Sequence, residues 1–220
     1  MKSRVFLFLL AMLLPVLASA GAFEDMEEAL IRGDSAAAIN LIKRGMDLNT
    51  VDRQGNTLLI QSVQRDSPEL FEYLMQRRAR VNTRNKNGET AVSIAAYLGR
   101  AQYVQRLVEA GAELNSFGWP PITYAAYNGH AAIVEYLIRH GADVDGKTEN
   151  GSTALFFASR FGHTDIVQLL LKNGADPTIV NENDETAVDW ALKGKNTDIE
   201  GILRKAGGRF GKTMTIDVGK

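Results

Sequence analysis

NGETAVSIAAYLGRAQYVQRLVEAGAELN (87–115) and NGSTALFFASRFGHTDIVQLLLKNGADP (150–177) align without a gap, and that alignment decides the fold. Outward from the pair, the residues before the recurring threonine are Gly55, Gly88, Gly118, Gly151 and Asp184, spaced 33, 30, 33 and 33 apart. The residues that close the second apolar stretch are Gly45, Arg78, Gly111, Gly141, Gly174 and Gly207, spaced 33, 33, 30, 33 and 33. The chain is therefore an array, and one unit is three residues short.

Each unit holds two short apolar-periodic stretches around a glycine-bearing turn, as in TALFFASRF, GHT and DIVQLLLKNG, which predicts a helix-turn-helix. Ile166, Val167, Leu169, Leu170 and Leu171 give the second helix an apolar face too broad for one unit to cover, so neighbours must stack. The polar, turn-forming residues that follow each closing glycine predict a projecting finger loop.

A period of 33 built from a turn and two helices resembles the ankyrin repeat, with its threonine, its G-H turn and its L-L-x-x-G-A-D ending, over residues 22–207. The resemblance implies an all-α solenoid of six helix-turn-helix units with projecting β-hairpin-like finger loops. The threonine stands at Thr57, Thr90, Thr153 and Thr186. The signature proline survives only at Pro121, and its histidine position holds Ile60, Ser93, Thr123, Phe156 and Asp189. The unit at 22–45 lacks a preceding finger and reads as an N-terminal cap, and the unit ending at Gly207 is the C-terminal one.

The first 20 residues, MKSRVFLFLLAMLLPVLASA, carry Lys2 and Arg4, an apolar run of 13 residues from Val5 to Leu17, and Ala18-Ser19-Ala20. That is the pattern of a secretory signal peptide, and the run is too short for a membrane span. The expected organisation is a signal peptide at 1–20, a repeat domain at 21–207 and a tail at 208–220, with no membrane insertion after cleavage. The absence of cysteine excludes a disulfide framework. Cleavage after Ala20 leaves 23 cations against 26 acids, a net charge of about −3 that gives no basis for nucleic-acid binding. The basic run RRARVNTRNK (77–86) reads as a solvated loop and helix end.

No catalytic constellation emerges. AGGRFGKT (206–213) has the loosest spacing of a phosphate-binding loop, yet a helix precedes it where the chemistry needs a strand, and too few residues follow for a helix. His130 and His163 occupy G-H turns, where the resemblance implies a framework role, and the three histidines, with His140, are spread over two units with no cysteine and no metal-binding spacing beside them, so no metal site is expected. Asp189 reads as a local cap, and Asn150-Gly151-Ser152 as the ordinary turn of the repeat. The reading calls for no enzyme activity, cofactor or metal.

Between Gly111 and Gly118 the finger spans seven positions where the others span ten, which predicts a notch beside Trp119 and the stiff Pro120-Pro121 pair. Family members bind partners through finger tips and the exposed face of the first helices, on a concave surface formed by stacking. Carried over, those positions are Arg53, Gln54, Asn56, Gln64 and Arg65 in one unit, and Lys86, Asn87, Glu89, Tyr97 and Leu98 in the next. Phe117, Trp119, Tyr127 and Asn128 follow, then Glu149, Asn150, Ser152, Arg160 and Phe161, and finally Glu182, Asn183, Glu185 and Lys193. Rings at the centre of such a surface suit binding hot spots, with Trp119 and Tyr127 as anchors. Tyr124, Phe157 and Trp190 fall where the family places leucine and are expected in the core. Arg80, Arg84 and Lys86 precede the ring cluster, while Asp143, Asp145, Glu149, Glu182, Asp184 and Glu185 follow it, so a partner of complementary polarity would be oriented.

Exported bacterial proteins of this type include immunity proteins that mask secreted or periplasmic hydrolases. The resemblance thus implies a chain, monomeric when unbound, that binds another protein in the periplasm and inhibits an enzyme such as a peptidoglycan hydrolase. An accessory role for an oxidative-stress enzyme such as catalase is the alternative.

Overall fold

A computed structural model describes residues 21–115 and 118–212. The signal-like segment, Phe117 and most of the expected tail lie outside the described residues. The chain divides into two compact units, Met1–Arg80 and Val81–Lys220.

In the first unit, residues 21–32 form α1, followed by α2 (Ser35–Lys43), α3 (Leu58–Gln64) and α4 (Pro68–Gln76). The starts are set locally. Asp34 accepts the Ala37 N–H at 2.9 Å, Thr57 accepts the Ile60 N–H at 3.2 Å, and Pro68 sits in the first turn of α4, where no intrahelical donor is needed. Leu58, Leu59, Ile60, Leu70, Phe71 and Leu74 fill the core.

The second unit holds four helix pairs: α5 (Ala91–Tyr97) with α6 (Ala101–Glu109), α7 (Pro121–Tyr127) with α8 (Ala131–Arg139), α9 (Ala154–Phe161) with α10 (Thr164–Lys172), and α11 (Ala187–Lys193) with α12 (Thr197–Lys205). Helices α5, α7, α9 and α11 pack in sequence as one layer, and α6, α8, α10 and α12 as a second. At seven or eight residues the inner helices are too short to persist alone, so burial holds them. Their residues are nearly all buried, Ala91 to Ala96 in α5 and Ala154 to Ser159 in α9, and each large apolar side chain so covered contributes about 1.5–3 kcal/mol.

Side-chain amides tie successive pairs together. Asn82 accepts the Glu113 N–H at 2.9 Å and donates to the Gly111 carbonyl at 3.1 Å; Asn115 does the same to Asp143 N–H at 2.7 Å and Gly141 at 2.9 Å. The imidazoles of the G-H turns play the framework part: His130 Nε2 meets the Tyr97 carbonyl at 3.0 Å, and His163 Nε2 meets that of Tyr127 at 3.1 Å. Asn196 takes the equivalent place in the last pair, donating to Ser159 and Arg160 carbonyls at 2.9 Å.

The fingers are hairpin-like turns closed by backbone bonds such as Asp52 N–H to the Asn56 carbonyl at 3.0 Å and Asn85 N–H to the Glu89 carbonyl at 2.9 Å. Among the described residues the β pairing is one isolated bridge, Val51 with Thr57. Side chains close the finger tips as well: the carboxylate of Asp52 accepts the N–H groups of Gln54 and Asn56, Asn85 those of Asn87 and Glu89, and Asn181 those of Asn183 and Glu185.

Residues 208–212 do not behave as a separate tail. Gly211 donates to Asp189 at 2.8 Å and Lys212 to the Asp184 carbonyl at 3.1 Å, while Asp189 also accepts the Thr186 N–H at 2.7 Å in a capping box. A Cβ on Gly211 would lie 1.8 Å from the Asp184 oxygen, so the glycine is needed for close approach. Of the amides in the phosphate-loop spacing, those of Gly207, Gly208, Gly211 and Lys212 are already bonded to the last repeat.

Candidate functional site

A row of rings crosses the inner-helix layer of the second unit. Tyr124 and Tyr127 lie three apart on α7, and Phe157 and Phe161 four apart on α9, so each pair shares a helix face. The short finger brings Trp119 over that face. Its ring centroid lies 4.7 Å from Phe157, 5.1 Å from Tyr124 and 6.2 Å from Tyr127. Tyr97 extends the row at one side, 5.8 Å from Tyr124 and 6.2 Å from Tyr127. Phe161, 4.6 Å from Tyr127, and Trp190, 5.1 Å from Phe157, extend it at the other. Offset and edge contacts of this kind add about 0.5–1.5 kcal/mol a pair beyond burial and hold the rings in fixed orientations.

Within the row the outward surface is not where the sequence put it. Trp119 and Tyr127 are half-buried among their neighbours, whereas Tyr97, Leu98 and Phe161 expose 41%, 39% and 44% of their surface. Of the three rings expected in the core only Phe157 is buried; Tyr124 and Trp190 are half-exposed, because both extend past the depth that a leucine at that register would fill.

Polar partners fix the half-exposed rings. The Trp190 indole donates to Glu185 at 2.7 Å, and Glu185 also receives Lys193 and, at 3.4 Å, Asn181. Burial alone would raise the Glu185 carboxyl; the hydrogen bonds from Lys193, Trp190 and Asn181 outweigh it and leave the group below its ordinary value. The Arg160 guanidinium lies 5.5 Å from the Trp190 ring centre. The Tyr124 hydroxyl donates to Glu89 at 3.4 Å, and burial first, then the Glu89 and Glu149 carboxylates, push its pKa up to about 12.

The expected notch is present. A cavity of about 320 Å³ opens beside the short finger, lined by Arg84, Gly88, Gly118, Trp119, Tyr124 and Glu149.

The remaining carried-over positions divide. In the first unit Arg53, Gln54 and Arg65 share the rim of a second cavity of about 230 Å³, and Gln64 is exposed. Lys86, Asn87, Glu149, Asn150, Arg160, Glu182, Asn183 and Lys193 are exposed in the second. Asn56 and Ser152, by contrast, are buried: Asn56 donates to Asp52 at 2.9 Å, and Ser152 accepts from Asn181 at 3.3 Å. Asn128 is exposed yet donates to the Tyr97 carbonyl at 2.7 Å, which fixes the end of α5. Glu185 is the anchor of Trp190 rather than a free carboxylate.

Sequence reasoning missed Asn82 and Asn115. The signal was available: a polar residue stands four positions after each of the first five closing residues, at Asn49, Asn82, Asn115, Asp145 and Thr178. Among the described residues no group of three or more His, Asp or Glu could hold a metal ion, and no helix is long and apolar enough to cross a membrane.

A family model of ankyrin repeats in three copies matches residues 26–117 and 113–181. The chain is 36% identical over 93 residues to rat diacylglycerol kinase zeta, covering 41% of this chain and 10% of that protein. It is 37% identical over 78 residues to the mouse protein fem-1 homolog A-like, covering 34% and 12%, and 31% identical over 86 residues to the mouse B-cell lymphoma 3 protein homolog, covering 39% and 19%. It thus spans no more than a fifth of the length of these relatives.

Proposed function

Because the chain belongs to the ankyrin-repeat family, a family of protein-binding modules, we propose that it recognises another protein through the ring row of its second unit and thereby masks an exported hydrolase. The observation that carries the reading is the row itself: Tyr97, Leu98 and Phe161 present exposed apolar surface on a backing of locked rings. Pre-organised aromatics lose little side-chain freedom on binding, which is what makes them anchors. The signal-like residues 1–20 support export and a periplasmic setting, where hydrolases that act on the cell wall are accessible.

The placement of the rings also selects the test. Truncating half-buried Trp119 would disturb packing as well as recognition, so a Tyr97→Ala/Phe161→Ala double variant is the cleaner probe. A periplasmic pull-down with the wild-type chain should capture a hydrolase that the double variant loses, and the captured enzyme's activity should fall as the chain is added. Full hydrolase activity at saturating chain removes the masking role. Capture that survives the double variant removes the ring row. Deleting residues 2–20 should abolish export, and a chain still exported without them removes the periplasmic setting.

A further inference from the structure

We propose that the notch beside the short finger receives an arginine side chain of the bound partner, with its guanidinium on Trp119 and paired to Glu149. The inference rests on the protein-binding reading above and names the chemistry that one part of the surface selects.

The argument begins with register. Trp119 stands immediately after Gly118, at the position Glu89 and Glu185 hold after Gly88 and Asp184. Those glutamates lie against the aromatic ring of a first helix, Glu89 on Tyr124 and Glu185 on Trp190. In the short finger the carboxylate is replaced by an indole, which lines the notch. About 320 Å³ remains open, room for roughly ten water molecules at about 30 Å³ each, and enough for one long side chain entering from the partner.

The walls then select the occupant. Trp119 and Tyr124 supply ring surface, and a ring face attracts cations through its quadrupole. Glu149 stands at the rim, its Oε1 4.0 Å from where a Cβ on Gly118 would be, and the Glu89 carboxylate lies behind the Tyr124 hydroxyl. Arg84, the cation among the described lining residues, donates to the Gly88 carbonyl of its own finger at 3.0 Å. Counting Glu89, which lies just outside the lining, two carboxylates stand against the one guanidinium of Arg84. Burial is the largest cause of the raised Tyr124 pKa, and the Glu89 and Glu149 carboxylates add to it. An anionic or nucleotide ligand would meet the wrong sign. Between the two natural cations, arginine fits better: its planar group stacks on an indole while its donors fork to a carboxylate, and an ammonium on a single carbon does neither.

The test uses the full mature chain and a capped tripeptide, acetyl-Gly-Arg-Gly-amide, with its citrulline and lysine counterparts. Of the two indole N–H resonances in the chain, that of Trp119 should shift saturably with the arginine peptide while that of Trp190 stays still. The isosteric, uncharged citrulline peptide should give no saturable shift, and the lysine peptide a weaker one. Glu149→Gln should weaken arginine binding about fivefold, whereas Glu135→Gln, on an exposed residue of the outer helix α8 outside the notch, should leave it unchanged. A still Trp119 resonance, equal response to arginine and citrulline, or equal effects of the two Glu→Gln variants overturns the site. A lysine peptide that binds as tightly overturns the choice of arginine. If the site fails while Tyr97→Ala/Phe161→Ala still abolishes partner capture, the binding surface stands and only its arginine is lost.

Discussion

Arg78 closes α4 with a φ of 58°, at the register where Gly45, Gly111, Gly141, Gly174 and Gly207 take positive φ between 84° and 111°. A side chain there meets the steric cost of the left-handed region, about 1–2 kcal/mol, partly offset by the greater freedom glycine would have in the unfolded chain. Arg78→Gly should therefore stabilise the protein by about 0.5–1 kcal/mol, read as a higher urea midpoint at unchanged slope. Glu185 makes the opposite kind of prediction, one that depends on pH. Its carboxyl lies below the ordinary glutamate value of 4.5 in the folded chain, so its contribution is fully present above that value and is lost as pH falls through the lowered one. In a Trp119→Phe background, which leaves Trp190 as the only indole, acid should change the Trp190 emission with a midpoint under 4.5. Glu185→Gln should abolish that transition and destabilise the chain at neutral pH more than at pH about 3.

Between elements, the same device recurs at each G-H turn: an imidazole lies over the glycine of the preceding pair, Gly99 or Gly129, and meets the carbonyl of the tyrosine two residues before it, Tyr97 or Tyr127. A Cβ on Gly99 would come within 2.5 Å of His130 Cε1, at a φ of 72°. Gly99→Ala should cost about 2–4 kcal/mol, strain and overpacking together. The cost should shrink in a His130→Ala background, where the ring is gone, and equal costs in both backgrounds would show that backbone strain alone is felt. These staples were legible as motifs because glycine and histidine repeat in register, and the same register gave the helix pairs, the threonine starts of α3, α5, α9 and α11, and the notch. What register could not give is how far a side chain reaches. Tyr124 and Trp190 hold leucine positions but emerge from the core. Trp119 looked like an exposed anchor, yet the finger's shortness lays it on Phe157. Glu185, taken for a finger charge, is held by an indole five residues on. Each difference follows from a contact between separate units of the repeat, or from a ring longer than the side chain it replaces, and neither is visible in spacing.

At the scale of the whole chain, stability in a repeat protein is close to a sum of terms from each unit and its nearest neighbours, and about three repeats are needed before the sum turns favourable. The division of this chain is unequal on that count. Residues 81–220 hold four helix pairs, and residues 21–80 hold two. Every ring contact of the candidate site, from Tyr97 to Trp190, lies inside the larger unit, as do the Glu185 anchor and the attachment of Gly211 to Asp189. A fragment of residues 81–220 should therefore fold alone, with a cooperative urea transition and the Trp119 and Trp190 emission of the full chain. A fragment of residues 21–80 should show little helix by circular dichroism at the same temperature. If instead the larger fragment lost its native emission, the geometry of the ring row would depend on residues 1–80, and the exposed surface at Tyr97, next to that boundary in sequence, would be the first part of the site to re-examine.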